Sequence, residues 1–112
     1  MHHDLAARLV IMASYLYYNR HSPVVPDAVF DATCRLVAAN WDKLRPILQW
    51  QLESREAILA GGSHIKITRL GENAAIALHL DRKNVLPHGT TIPPGRWRWS
   101  DQFQCFYATL NG

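Results

Sequence analysis

The sequence predicts a mainly α fold: a small single-domain helical bundle with an N-terminal antiparallel helical pair and a loop-rich C-terminal part. Three observations predict it. Apolar residues recur at steps of three and four through roughly the first half of the chain. Prolines and glycines gather at the ends of those periodic runs and in one long segment, residues 84–95. With 112 residues, 48% of them apolar and 19% charged, the chain can bury one core but has no room for a second. The domain is therefore 1–112, with the helical pair over 4–44 and further helices plus the Pro/Gly loop over 45–112.

The elements follow in order. Leu5, Leu9, Met12 and Leu16 fall at steps of four, three and four, one face of a helix over 4–18. Asn19 to Pro26 interrupts it, because prolines and the residues before them favour extended or turn backbone. Pro26 or Asp27 opens a second helix over 27–44, since proline's fixed φ suits the first turn and an aspartate there suits the positive helix end. Phe30, Cys34, Val37, Trp41 and Leu44 continue the period. The pattern predicts one core holding Leu9, Met12, Leu16, Phe30, Val37 and Trp41. Pro46 suits the start of a third helix reaching Ala60, which Gly61-Gly62 ends.

His64 to Thr68 alternates like a short strand. Thr68 then reads as the N-cap of a helix carried by the helix formers Ala74 to Leu80. Asn84 to Gly95 holds three prolines and two glycines and reads as loop. In "SDQFQCFYATLNG", Ser100 suits the cap of a last helix with Phe103, Phe106, Tyr107 and Leu110 inward, ending at Asn111-Gly112. Phe103, Cys105 and Tyr107 also alternate, which leaves a strand open over 101–110.

Composition restricts the partners. The formal charge of +3 is mildly basic and the cations are scattered, so nucleic acid is permitted but not indicated. No apolar run approaches the roughly 20 residues that span a bilayer, so no membrane is expected. The N-terminus lacks a secretory pattern. The expectation is a cytoplasmic protein with Cys34 and Cys105 reduced.

Candidate chemistry is sparse. His2-His3 reads as a solvated end rather than a metal site, because metal sites need converging ligands. Cys34 lies on an apolar helix stripe and reads as a buried thiol rather than a nucleophile. Gly61-Gly62 lacks the lysine of a phosphate loop. "RWRW", Arg96, Trp97, Arg98 and Trp99, has two readings. Either both tryptophans fill the core with the arginines in water, which carries more weight, or the segment anchors a protein partner, stacks bases or grips a membrane surface. Tyr17, Asp27 and Asp31 could converge at the proline elbow, the aspartates being four apart on one helix face. Against this, Asp27 and Asp31 also serve as acids near a helix start, and Tyr17 as packing.

The segment "YLYYNRHSPVVPDAVFD" resembles the N-terminal helical domain of bacterial NAD-dependent DNA ligases. The family pattern reads roughly Tyr-Leu-Tyr-His, a short spacer, then Pro-x-x-x-Asp-x-x-Tyr-Asp. Tyr15, Leu16, Tyr17, Pro23, Asp27 and Asp31 match it, while Tyr18 replaces the histidine and Phe30 the second tyrosine. The match covers about 30 of the 112 residues, within 5–44. The resemblance implies that Tyr17, Tyr18, Asp27, Phe30 and Asp31 clasp the nicotinamide mononucleotide (NMN) half of NAD. The two replacements imply weakened binding. No Lys-x-Asp-Gly setting is present, so the chain is expected not to be an enzyme and to need no cofactor for chemistry.

Two functions remain. The first in rank is a phage- or prophage-type accessory protein, an inhibitor among the options, that docks on a host protein of DNA metabolism or defence. The second is an NMN- or NAD-binding module.

Overall fold

The computed structural model describes residues 1–61 and 64–110. Among them lie five α-helices and a three-stranded sheet, so the chain is mainly α as its periodicity predicts. The predicted stops at Gly62 and at Asn111-Gly112 fall outside the described residues.

Helix α1 (His3–Tyr18) is the central element. It packs against α2 (Asp27–Ala39), α3 (Pro46–Leu52), α5 (Arg69–Lys83) and strand β1 (Lys66–Thr68). Surrounded in this way, it buries a broad face that includes Ala6, Ala7, Val10, Ile11, Ser14, Tyr15 and Leu16. The expected stripe of Leu5, Leu9, Met12 and Leu16 is thus too narrow and turned aside. Leu16 is buried, Leu9 and Met12 are half-buried, and Leu5 is exposed. Four large core residues, Leu16, Val37, Leu52 and Ile67, are sealed from water. Each contributes roughly 1.5–3 kcal/mol of transfer free energy.

The second helix starts where expected, with the Pro26 carbonyl accepting from Phe30 N at 2.9 Å. It ends at Ala39 rather than near 44. Asn40 turns back on it, its side-chain Nδ2 donating to the Leu36 carbonyl at 2.8 Å, and Trp41–Lys43 form a 3₁₀ turn. Phe30 and Trp41 therefore only flank the core that holds Val37.

The predicted third helix is two. Glu53 sits at φ 78, breaking it after Leu52, and the Ser54 hydroxyl accepts from Ala57 N at 3.0 Å to start α4 (Arg55–Leu59). The short strand and the Thr68 cap stand as predicted: Thr68 Oγ1 accepts from Gly71 N at 3.0 Å and α5 follows.

The largest correction is at the C-terminus. Among the described residues no helix follows Ser100. Strands β2 (Arg98–Ser100) and β3 (Cys105–Thr109) form a hairpin, and β3 pairs antiparallel with both β1 and β2. Ser100 does cap, but it caps a turn, its Oγ accepting from Phe103 N at 3.2 Å. Cross-strand pairs Trp99–Phe106 and Arg98–Tyr107 favour the sheet. Ala108 and Leu110 are buried, while Phe106, on the same face of β3 as Ala108, is left exposed beside Trp99. No described helix is long and apolar enough to cross a membrane.

Candidate functional site

The elbow between α1 and α2 is built by local backbone rules. Ser22 N donates to the Leu16 carbonyl at 2.9 Å while His21 takes φ 52, a left-handed helix stop. Pro23 and Pro26 then hold the chain extended until Asp27 begins α2. This brings the C-terminal turn of one helix beside the N-terminal turn of the next.

A cleft of about 190 Å³ opens there. Tyr17, Tyr18, Asp27 and Phe30 line it, with Pro23 and Gly61 at its edges. The Tyr17 and Tyr18 rings meet edge to face, with centroids 5.0 Å apart. Tyr18 crosses the cleft and donates its hydroxyl to the Gly61 carbonyl at 2.6 Å. Tyr17 remains 54% exposed. Ser14 lies in the same wall, and its buried hydroxyl finds no hydrogen-bond partner among the described residues.

Asp31 is not brought into this cleft. It lines the adjoining concavity with Cys34 and Arg35, and only Phe30 and Gly61 border both. Convergence is therefore a matter of Tyr17 and Asp27. Asp31 acts instead on Cys34: burial first, and then the nearby carboxylate, push that thiol up to about 11. A thiol so disposed stays protonated at neutral pH, as the apolar stripe suggested.

The "RWRW" segment divides. Trp97 is buried, with the Arg69 guanidinium 5.2 Å from its ring centre. Trp99 is 48% exposed and stacks edge-on against Phe106, itself 47% exposed. The expectation that both tryptophans fill the core holds for Trp97 alone. Nor does Arg96 simply point to water: its Nη2 donates to the Thr109 carbonyl at 2.6 Å. Arg98 is exposed and donates to the Gly95 carbonyl at 3.0 Å.

At the N-terminus, donor atoms of His2, His3 and Asp4 lie within 4.8 Å of one another. His2 Nδ1, however, accepts from Asp4 N at 3.2 Å, so one of the three already serves as a helix cap.

A buried polar seam between α1, α5 and the loop after α5 is absent from the sequence reading. Tyr15 donates to Glu72 Oε2 at 2.9 Å, and Arg20 Nε donates to the Tyr15 oxygen at 2.9 Å. The same Glu72 oxygen accepts from Ile92 N at 2.9 Å, and Arg20 also reaches the His88 carbonyl at 3.1 Å. Burial, and then the Glu72 hydrogen bond, push the Tyr15 phenol up to about 12. Next to it, His79 Nδ1 meets the Val85 carbonyl at 2.7 Å and its Nε2 meets Ser22 Oγ at 2.6 Å. A carbonyl only accepts, so Nδ1 carries a hydrogen and Nε2 is the atom that meets Ser22. The types resemble a nucleophile, base and orienting group, but His79 is 2% exposed and the trio serves as a clamp on the 84–92 loop.

No family model matches the chain, and neither does any curated protein or solved structure.

Proposed function

We propose that the chain is a small non-catalytic ligand-binding module whose elbow cleft holds the NMN half of NAD weakly. One observation carries this reading: Tyr17, Tyr18, Asp27 and Phe30, four of the residues singled out by the ligase resemblance, line one cleft. The chemistry of that lining suits the ligand. Aromatic rings favour a flat cationic ring through its π face and charge. An exposed carboxylate, Asp27, suits ribose hydroxyls or the positive pyridinium. The replacements at Tyr18 and Phe30 each remove a family hydrogen-bonding group, at about 0.5–1.5 kcal/mol apiece. Together they weaken binding by roughly one to two powers of ten.

Chemical-shift mapping with millimolar NMN tests this. Shifts confined to Tyr17, Tyr18, Asp27 and Phe30, lost in Asp27→Ala, support the reading. An unchanged spectrum at several millimolar sinks it.

The reading placed first by sequence, a phage- or prophage-type cytoplasmic accessory that binds a host protein, rests on a different surface. Its support is the exposed Trp99–Phe106 pair beside Arg98, the residue types that dominate binding hot spots. In that case Trp99→Ala abolishes capture of the partner without changing the melt.

A further inference from the structure

Away from the elbow, α1, α3 and α5 enclose a groove of about 410 Å³, within the range of small-molecule sites. Its walls are mostly apolar, with Ile11 and Met12 from α1, Ile47 and Leu48 from α3 and Leu70 at the start of α5, and Gln51 and Thr68 as the uncharged polar side chains. Leu70 is 82% exposed, a large aliphatic side chain standing at the rim of an apolar channel. Met12, unbranched and with three rotatable bonds, lets one wall adapt to a flexible chain.

The charged side chains that line this groove are of one sign. Arg8 and Arg45 line it, and no carboxylate is among its lining residues. Both arginines are exposed, and neither side chain makes a hydrogen bond or ion pair among the described residues. Thr68, Leu70 and Gly71 place the positive end of the 15-residue α5 on the same wall, with only the Gly71 N–H met by the Thr68 hydroxyl. One apolar channel with unpaired cations at its border selects one apolar tail with one anionic head.

We propose that this groove binds a free long-chain carboxylate, its alkyl tail among Ile11, Met12, Ile47 and Leu70 and its head on Arg8 and Arg45. The site shares no lining residue with the elbow cleft, so its success or failure is independent of the NMN reading.

Calorimetry and methyl chemical-shift mapping with octanoate, decanoate and dodecanoate, each below its micelle concentration, test it. Affinity should rise about fourfold per methylene until the channel is full, because a buried methylene is worth about 0.8 kcal/mol. Shifts should fall on Ile11, Met12, Ile47 and Leu70. Dodecanol and dodecyltrimethylammonium should bind more weakly. Arg8→Gln with Arg45→Gln should weaken dodecanoate about tenfold or more and leave dodecanol unchanged. Ala74→Trp, on an exposed position of the wall, should fill the channel and abolish binding. Should that variant fail to fold, the arginine pair decides. No saturable shift, equal affinity for the cationic amphiphile, or binding only to phosphatidylglycerol vesicles would each overturn the proposal.

Discussion

Tyr15 and Tyr17 stand two residues apart on one helix and live in opposite worlds. Tyr15 is sealed from water and joins Glu72 and Arg20 in a seam where every partner is protein. Tyr17 is 54% exposed and faces the elbow cleft. A side chain whose hydrogen bonds are all internal holds the fold, and one whose polar atoms face an open cleft is free to meet a ligand. The same division recurs near the C-terminus, where Trp97 is core and Trp99 is surface. Residue type cannot separate the members of either pair, and burial can.

The largest effects should come from the inner members. Glu72→Ala strips one shared acceptor from both Tyr15 and Ile92 N and leaves Arg20 buried without its relay. Breaking such a buried charged network costs about 3–5 kcal/mol. A thermal melt should show a drop of tens of degrees or loss of folding. An unchanged midpoint would mean the seam is idle. Trp97→Ala should cost a similar 3–5 kcal/mol through the cavity it leaves. Trp99→Ala should stay within about 0.5 kcal/mol of the parent, as exposed positions do. Equal melts for the two tryptophan variants would erase the contrast.

How much of this contrast is legible in the sequence depends on separation along the chain. The helix starts at Asp27 and Pro46 and the Thr68 cap are set by neighbours within a few residues, and they stand as predicted. Tyr17 and Asp27 lie close across one elbow, so their convergence could be read from spacing; Tyr18 and Phe30 came only with the ligase resemblance, and Asp31, one turn beyond Asp27, lines the adjoining concavity instead. The Tyr15–Glu72 and Ser22–His79 contacts each span 57 residues, and no spacing rule links them. The break at Glu53 demands positive φ from a residue with no marked preference for it, so nothing in its identity signals the split. The C-terminal hairpin was ambiguous because Phe103, Phe106, Tyr107 and Leu110 satisfy a helical period while Phe103, Cys105 and Tyr107 satisfy a strand period. Pairing with β1, which joins residues some forty positions apart, decided it.

A smaller effect comes from titrating the seam rather than cutting it. The Tyr15 phenol is raised from 10.0 to about 12, so the folded state holds its proton more tightly than the unfolded chain. The stability this gives is fully present below pH 10 and is lost as pH rises through about 12. Two units correspond to about 2–3 kcal/mol. Cys34, raised from 9.0 to about 11, adds a loss that begins earlier, above pH 9. Urea midpoints measured from pH 8 to 12 should fall in that order. Tyr15→Phe should remove the later part of the fall and Cys34→Ala the earlier part. A flat profile would detach both groups from the folding equilibrium.

The smallest effect belongs to the cleft that Tyr17 faces and touches binding alone. Phe30 stands where the ligase pattern has tyrosine, and it lines the cleft half-buried. Phe30→Tyr adds one hydroxyl to a wall that already has the ring, so the fold should hardly change. If the cleft takes NMN, a restored hydrogen bond is worth about 0.5–1.5 kcal/mol, or roughly two- to tenfold in affinity. Tyr18→His is not an equivalent repair, because it also removes the bond to the Gly61 carbonyl and loosens the far wall. Titration calorimetry on Phe30→Tyr therefore isolates the ligand term. Tighter NMN binding with an unchanged melt places the hydroxyl against the ligand. Unchanged or weaker binding means that the ring at position 30 packs the cleft without reaching what it holds.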